Sequence, residues 1–182
     1  MMNAEIRAHR QRRRELARML RVNHAGELGA QHIYNGQLAV LGDGDMAATL
    51  QHMKAQEEVH LAHFENLLVT EKVRPTALHP FWKAAGFALG AGTALMGKKA
   101  AMACTIAVEE VIDDHYAAQI EALGDGPEEA QLAADLEVFR QEEVEHRDIG
   151  IDHGGQQAPG YPLLRTVIRR GCKTAIWLSE RI

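Results

Sequence analysis

Cysteine is nearly absent from this chain. Cys104 and Cys172 stand alone, with no Cys-x-x-Cys, which excludes a disulfide-stapled scaffold, a zinc ribbon and a rubredoxin-type iron site, and fits a reducing compartment. Aromatic residues are only 5% of the 182; the aromatic and glycine patterning of RNA-binding modules is missing, so no nucleic-acid partner is expected. The five prolines, at 75, 80, 127, 159 and 162, all avoid the long periodic segments. No stretch sustains the alternation of a strand, and no Rossmann glycine fingerprint follows one. A secretory signal is not visible either; the Arg-rich start carries Glu5 and Glu15 and runs straight into the fold.

What is present is helix-forming: Ala, Leu, Glu and Gln dominate. The length fits one domain with a real core. The net charge of −5 is unevenly spread, because residues 1–21 carry +5 and residues 161–182 carry +4, leaving −14 between them. Basic ends of this kind point to an anionic membrane surface or a protein partner. Proline and the Gly-Asp turns GDGD (42–45) and GDGP (124–127) divide the chain into helices at 23–41, 46–72, 80–97, 99–123, 127–150 and 162–181, after a basic lead-in helix over 1–22. Asn23 and Asp45 are the expected N-caps, and Pro80, Pro127 and Pro162 suit first helical positions. The expected fold is all-α.

Two related words interrupt this pattern, QEEVH at 56–60 and QEEVEH at 141–146. Each puts a Glu three residues before a His. The apolar stripe of the second helix runs Met46, Leu50, Met53, Glu57, His60, Phe64, Leu67, and that of the fifth runs Leu132, Leu136, Phe139, Glu143, His146, Ile149. The Glu and His therefore take core positions, since i and i+3 share a helix face. Glu58, Glu142 and Glu145 fall off the stripes, as solvated charges. The first helix carries Glu27 and, seven residues on, Tyr34; the fourth carries Glu109 and Tyr116 at the same spacing, and both tyrosines begin Tyr-x-x-Gln. The halves form an internal repeat, a Glu helix followed by a Glu-x-x-His helix.

Simple geometry brings these groups level. Glu27 lies about 16 residues before the first turn and Glu57 about 14 after it, roughly 21–24 Å along antiparallel helices at about 1.5 Å per residue. Glu109 and Glu143 flank the second turn almost equally. Four core carboxylates and two imidazoles at one height in a four-helix bundle make a dinuclear metal site. Four negative charges match two divalent cations, and oxygen-rich ligation with one imidazole per metal suits iron or manganese.

These residues and their surroundings, RVNHAGELGAQHIYNGQ, QEEVHLAHFENLL, AMACTIAVEEVIDDHYAAQI, QEEVEHRDIGIDHG and IRRGCKTAIWLSERI, resemble the demethoxyubiquinone hydroxylase family of ubiquinone biosynthesis. The resemblance spans nearly all of the chain from residue 21. It implies a ferritin-like bundle over 23–182; the sequence adds an apolar helix near 80–97, membrane-facing or an ordinary buried third helix, and an amphipathic one at 162–181. It implies two iron ions held by Glu27, Glu57, His60, Glu109, Glu143 and His146. The implied chemistry is O2-dependent hydroxylation of the demethoxyubiquinol ring, with NADH as reductant. Tyr116 is the candidate catalytic residue, relaying electrons or touching the quinone head, with a core Tyr whose hydroxyl is bonded as the alternative; His115 and Tyr34 are weaker candidates. His24, His63 and His153 are expected at the surface or behind the ligands, and Asp148 or Asp152 is expected to orient a ligand histidine.

A polyprenyl quinone lives in the bilayer. AAGFALGAGTALMG (84–97) is uncharged and bounded by Lys83, Lys98 and Lys99, but is shorter than the roughly 20 residues that span; a helix lying in one leaflet fits. Its Gly86-x-x-x-Gly90 permits close helix approach. Arg165, Arg169 and Lys173 at i+4 spacing read as membrane-surface charge or a solvated face, the former being favoured. A peripheral protein is expected, on the cytoplasmic side of a bacterial inner membrane or the matrix side of the mitochondrial one, with a helper protein or electron donor among its partners. Oligomeric state is left open. The alternative is a ferritin-class ferroxidase.

Overall fold

The computed structural model describes residues 2–124 and 126–182; Met1 of the lead-in and Asp125 of the second turn lie outside them. Among the described residues six α-helices and one short 3-10 turn account for the regular structure, with no strand. They are α1 (Met2–Leu41), α2 (Ala47–Thr70), α3 (His79–Leu95), α4 (Lys98–Ala122), α5 (Pro127–Asp152) and α6 (Tyr161–Ser179). α1 with α2, and α4 with α5, form two closely packed hairpins that meet across a looser seam. α3 lies along α1, and α6 along α4. The four-helix bundle is thus α1, α2, α4 and α5, with two helices outside it.

Two expected caps are corrected. The lead-in and the first bundle helix are one 40-residue helix, unbroken at residues 22 and 23. No proline interrupts it, and the buried Asn23 side chain is taken up across the bundle instead: its amide exchanges two 2.8 Å hydrogen bonds with Gln119 of α4. Asp45 does not cap α2 either; its carboxylate accepts from Lys98. α3 stops at Leu95, two residues short of expectation, because Gly97 turns the chain at φ 108°, where an L side chain is strained.

The α1–α3 seam is a glycine seam. A Cβ on Gly86 would sit 2.6 Å from the carbonyl oxygen of Gly29, and one on Gly90 would collide with the carbonyl of Ile33. Gly36 of α1 presses in the same way on the Phe87 carbonyl. The Gly86-x-x-x-Gly90 spacing therefore lets two backbones touch. α3's other side leaves Phe81, Phe87, Leu95 and Met96 exposed. α6 is held by charge: Arg165 and Arg169 both donate to Glu110 of α4, and Arg169 also to Asp114. Those two arginines are thus internal clamps, contrary to the expectation of membrane-surface charge.

Two of the core's apolar blocks, its larger ones, lie mainly within the bundle. One gathers Leu20, Phe64, Leu68, Tyr116, Leu132, Leu136 and Phe139; the other gathers Tyr34, Met46, Leu50, Met53, Ala94, Ala101 and Met102. Along α2 the sequence passes from Met53 to Phe64, from one block to the other. Between them come Glu57 and His60.

Candidate metal centre

All six expected ligand residues are buried at 0–2% exposure, and they converge. Glu27, Glu57, His60 and Glu143 offer atoms within 4.8 Å of one another; so do Glu57, Glu109, Glu143 and His146. Glu57 and Glu143 belong to both groups. The two halves of the repeat thus contribute one terminal carboxylate, one shared carboxylate and one imidazole each.

The histidines turn Nδ1 inward. His60 Nδ1 lies 3.2 Å from Glu143 and 3.4 Å from Glu27; His146 Nδ1 lies 3.3 Å from both Glu57 and Glu143. Neither nitrogen is aligned for a hydrogen bond, and both oxygens of Glu57 and one each of Glu109 and Glu143 also lack a donor. Buried carboxylates without donors are costly unless a positive charge sits among them.

The protonation pattern carries the same strain. Burial, then the charge of Glu143, pushes Glu57 and Glu109 well above the ordinary carboxylate range. Burial pushes Glu143 the same way, but His146 and His60 outweigh it and hold it at about 2. Burial disfavours charge on His60; the carboxylates of Glu143 and Glu27 outweigh that and lift it to about 12. His146 is raised for the same reasons, by Glu143 and Glu109. These upward shifts all favour positive charge among the carboxylates. Four carboxylates and two imidazoles, with several lone pairs aimed at empty directions, fit a pair of divalent cations.

The tyrosines bind across the halves. Tyr116 donates to Glu27, and Tyr34 donates to Glu109 at 2.9 Å. Burial, with these carboxylates alongside, raises both phenols well above 10, so both remain donors. Tyr34, expected to matter less than Tyr116, is its counterpart.

Behind the imidazoles the expectation fails. Asp148 bonds Arg147 and Asp152 is exposed; neither reaches a ligand. The partners are Glu142, 2.5 Å from His60 Nε2, and Gln56, whose Oε1 is 2.9 Å from His146 Nε2. Glu142 is therefore more than a solvated charge, though a third of its side chain stays exposed. Both residues directly precede the shared Glu of their own helix and contact the histidine of the other, a repeat visible in QEEVH and QEEVEH once aligned on the glutamates. The three other histidines singled out divide: His24 is buried and stacked on His79 at 5.7 Å, His63 packs on Phe64 and Phe139, and exposed His153 hydrogen-bonds the Ile149 carbonyl. His115 contacts Gln119 at 2.7 Å.

A cavity of about 350 Å³ opens between α1, α3, α4 and α6. Its walls are small or apolar, among them Gly26, Ile33, Leu89, Val108, Ile112 and Ile176. Gly26 is the chain neighbour of Glu27, and Val108 that of Glu109.

A bundle that buries one Glu from each of two helices, and Glu-x-x-His from the other two, is of the ferritin-like carboxylate class. Within that class the chain belongs to the family described as ubiquinone biosynthesis protein COQ7, whose profile matches residues 14–179. It is 57% identical over 166 residues to the 3-demethoxyubiquinol 3-hydroxylase of Rhodospirillum rubrum, covering 91% of this chain and 77% of that protein. It is 53% identical over 167 residues to the mitochondrial NADPH-dependent 3-demethoxyubiquinone 3-hydroxylase of Homo sapiens, covering 91% and 77%. It is 42% identical over 182 residues to the mitochondrial 5-demethoxyubiquinone hydroxylase of Saccharomyces cerevisiae, covering 92% and 78%.

Proposed function

We propose that this protein is a di-iron, O2-dependent monooxygenase that hydroxylates the ring of demethoxyubiquinol in ubiquinone biosynthesis. The carrying observation is the convergence of six buried ionisable residues with donor-less carboxylate oxygens between two apolar blocks. Glu27, Glu57, His60, Glu109, Glu143 and His146 would hold two irons, Glu57 and Glu143 belonging to both groups of converging atoms. Ferrous iron bound there would supply the two electrons that activate O2, one oxygen atom going to the ring and the other to water. The protein does the rest. Phe64, Phe139, Leu50 and Met53 close the bundle above and below and keep water from the oxidant. Tyr116 and Tyr34 fix Glu27 and Glu109 by donating to them, which makes Tyr116 a positioning residue acting through Glu27.

The apolar cavity supports the substrate assignment. Its volume lies within the roughly 300–1,000 Å³ of small-molecule sites, and it runs beside the chain neighbours of Glu27 and Glu109. Iron storage gives such a cavity no use, which disfavours the ferritin-class alternative. The reductant is a nicotinamide nucleotide. The expectation was NADH, whereas the name of the human relative carries NADPH. Membrane contact is through α3 and α6, where Phe81, Phe87, Leu95, Leu163 and Trp177 are exposed; among the described residues no helix is long and apolar enough to cross a membrane. The protein then works from the membrane surface, at the cytoplasmic face in a bacterium or the matrix face in a mitochondrion.

Cells lacking the gene, complemented with wild type or Glu109→Ala, test this by mass-spectrometric quinone profiling. Mutant cells should accumulate a quinone short of one ring methoxy group, and only wild type should restore ubiquinone. A normal profile without the gene, where no second enzyme covers the step, would refute the assignment.

A further inference from the structure

The two halves of the centre match in their ligands but not in what stands behind the imidazoles. Each half has a terminal Glu bonded by a buried Tyr, a shared Glu, and a His with Nδ1 turned inward. Each ring also rests on an aromatic neighbour, His60 on Phe139 at 4.2 Å and His146 on Tyr34 at 5.9 Å. Behind the rings the halves part. With Nδ1 turned inward as the ligating nitrogen, Nε2 is left to donate, from His60 to the carboxylate of Glu142 and from His146 to the neutral amide oxygen of Gln56.

That difference has a chemical consequence. A hydrogen bond to an ionised acceptor is roughly twice as strong as one to a neutral acceptor. A carboxylate behind a ligand histidine draws the Nε2 proton and raises electron density at the nitrogen that meets the metal. An amide carbonyl does so less. We propose that Glu142 and Gln56 make the two metal positions unequal, the His60 position binding its cation more tightly and filling first. This rests on the dinuclear reading above. The asymmetry lies in one sequence position of the repeat, Glu in the second copy and Gln in the first.

The test is anaerobic titration of the metal-free full-length protein with ferrous iron, followed by Mössbauer spectra of the loaded protein. Wild type should take two equivalents with separated affinities and give two distinct ferrous quadrupole doublets. Glu142→Gln should weaken the tighter equivalent by about 10- to 100-fold, leave the other nearly unchanged, and bring the doublets together. Gln56→Glu should tighten the weaker equivalent, a gain that misfolding does not produce, so it decides the matter if Glu142→Gln folds poorly. Glu58→Gln is the control: it removes the same charge beside Glu57, but Glu58 is exposed, pairs with Lys54 and stands behind no imidazole. If Glu142→Gln weakens both equivalents alike, or Glu58→Gln matches it, the effect is bulk charge and the proposal is wrong. Failure of Gln56→Glu to tighten either equivalent also overturns it. Wild type that takes up no iron refutes the dinuclear reading itself.

Discussion

Gly90→Ala is the sharpest test of how the outer helix is seated. A methyl group there would meet the Ile33 carbonyl of α1, with its carbonyl carbon at 2.8 Å and Cα at 2.9 Å. Ordinary carbon contacts lie near 3.5–4.0 Å, so the helices must part by roughly 1 Å. The obstacle is backbone, which has no rotamer to escape into. Overpacking of this kind costs about 1–3 kcal/mol, and the backbone clash puts it at the upper end. Ala in place of Gly returns about 1 kcal/mol of helix propensity. The net loss is about 2 kcal/mol, or roughly 4–8 °C in Tm for a domain of this size. Gly92→Ala is the internal control, two residues along the same helix with nothing within 4 Å of the added Cβ; it should gain about 2–4 °C. Thermal unfolding followed by circular dichroism reads both. Gly90→Ala at or above the wild-type Tm would refute the seam.

Two further outcomes follow from the centre. Tyr116→Phe and Tyr34→Phe each strip a buried carboxylate of its donor, and each should cost the metal-free protein about 1–3 kcal/mol in denaturant unfolding; no loss in either would contradict the paired role. The pH dependence has a worked sign. Glu57 and Glu109 lie above their ordinary 4.5, and His60 and His146 above 6.5, so their contributions to metal-free stability are full below those values and fade as pH rises through the raised ones. Glu143 lies below 4.5, so its contribution is present above that value and lost as pH falls toward about 2. Metal binding must displace the protons on the raised groups. A divalent metal should therefore raise Tm more at about pH 8 than at about pH 5.5. An increment that shrinks with rising pH would be inconsistent with these ligands.

The buried Glu and His cluster was legible because burial and helical period act on the same residues. Glu57, His60, Glu143 and His146 sit on stripes that the apolar residues define, and the repeat supplied the level geometry. Glu142 and Gln56 were not legible, since each lies at the flank of its own helix and reaches a histidine on the other. That contact depends on how the hairpins cross, which one sequence does not encode locally. Asn23 misled for a similar reason: it has the chemistry of a cap, but its partner Gln119 is 96 positions away and α1 runs on past it. Arg165 and Arg169 had the spacing of a membrane-facing charge row. Only the packing of α6 on α4 turned them toward Glu110. The Gly86–Gly90 spacing was visible, whereas its partner, the α1 backbone at Gly29 and Ile33, emerged with the fold.

The most direct test of the central claim is a labelled turnover. The anaerobically reconstituted protein is given demethoxyubiquinol, a nicotinamide reductant and heavy-isotope O2, and iron and product are both analysed. Two irons per chain, with one oxygen atom of the gas in the new ring hydroxyl, is the predicted result. A protein that binds no iron, or a hydroxyl whose oxygen comes from water, would contradict it.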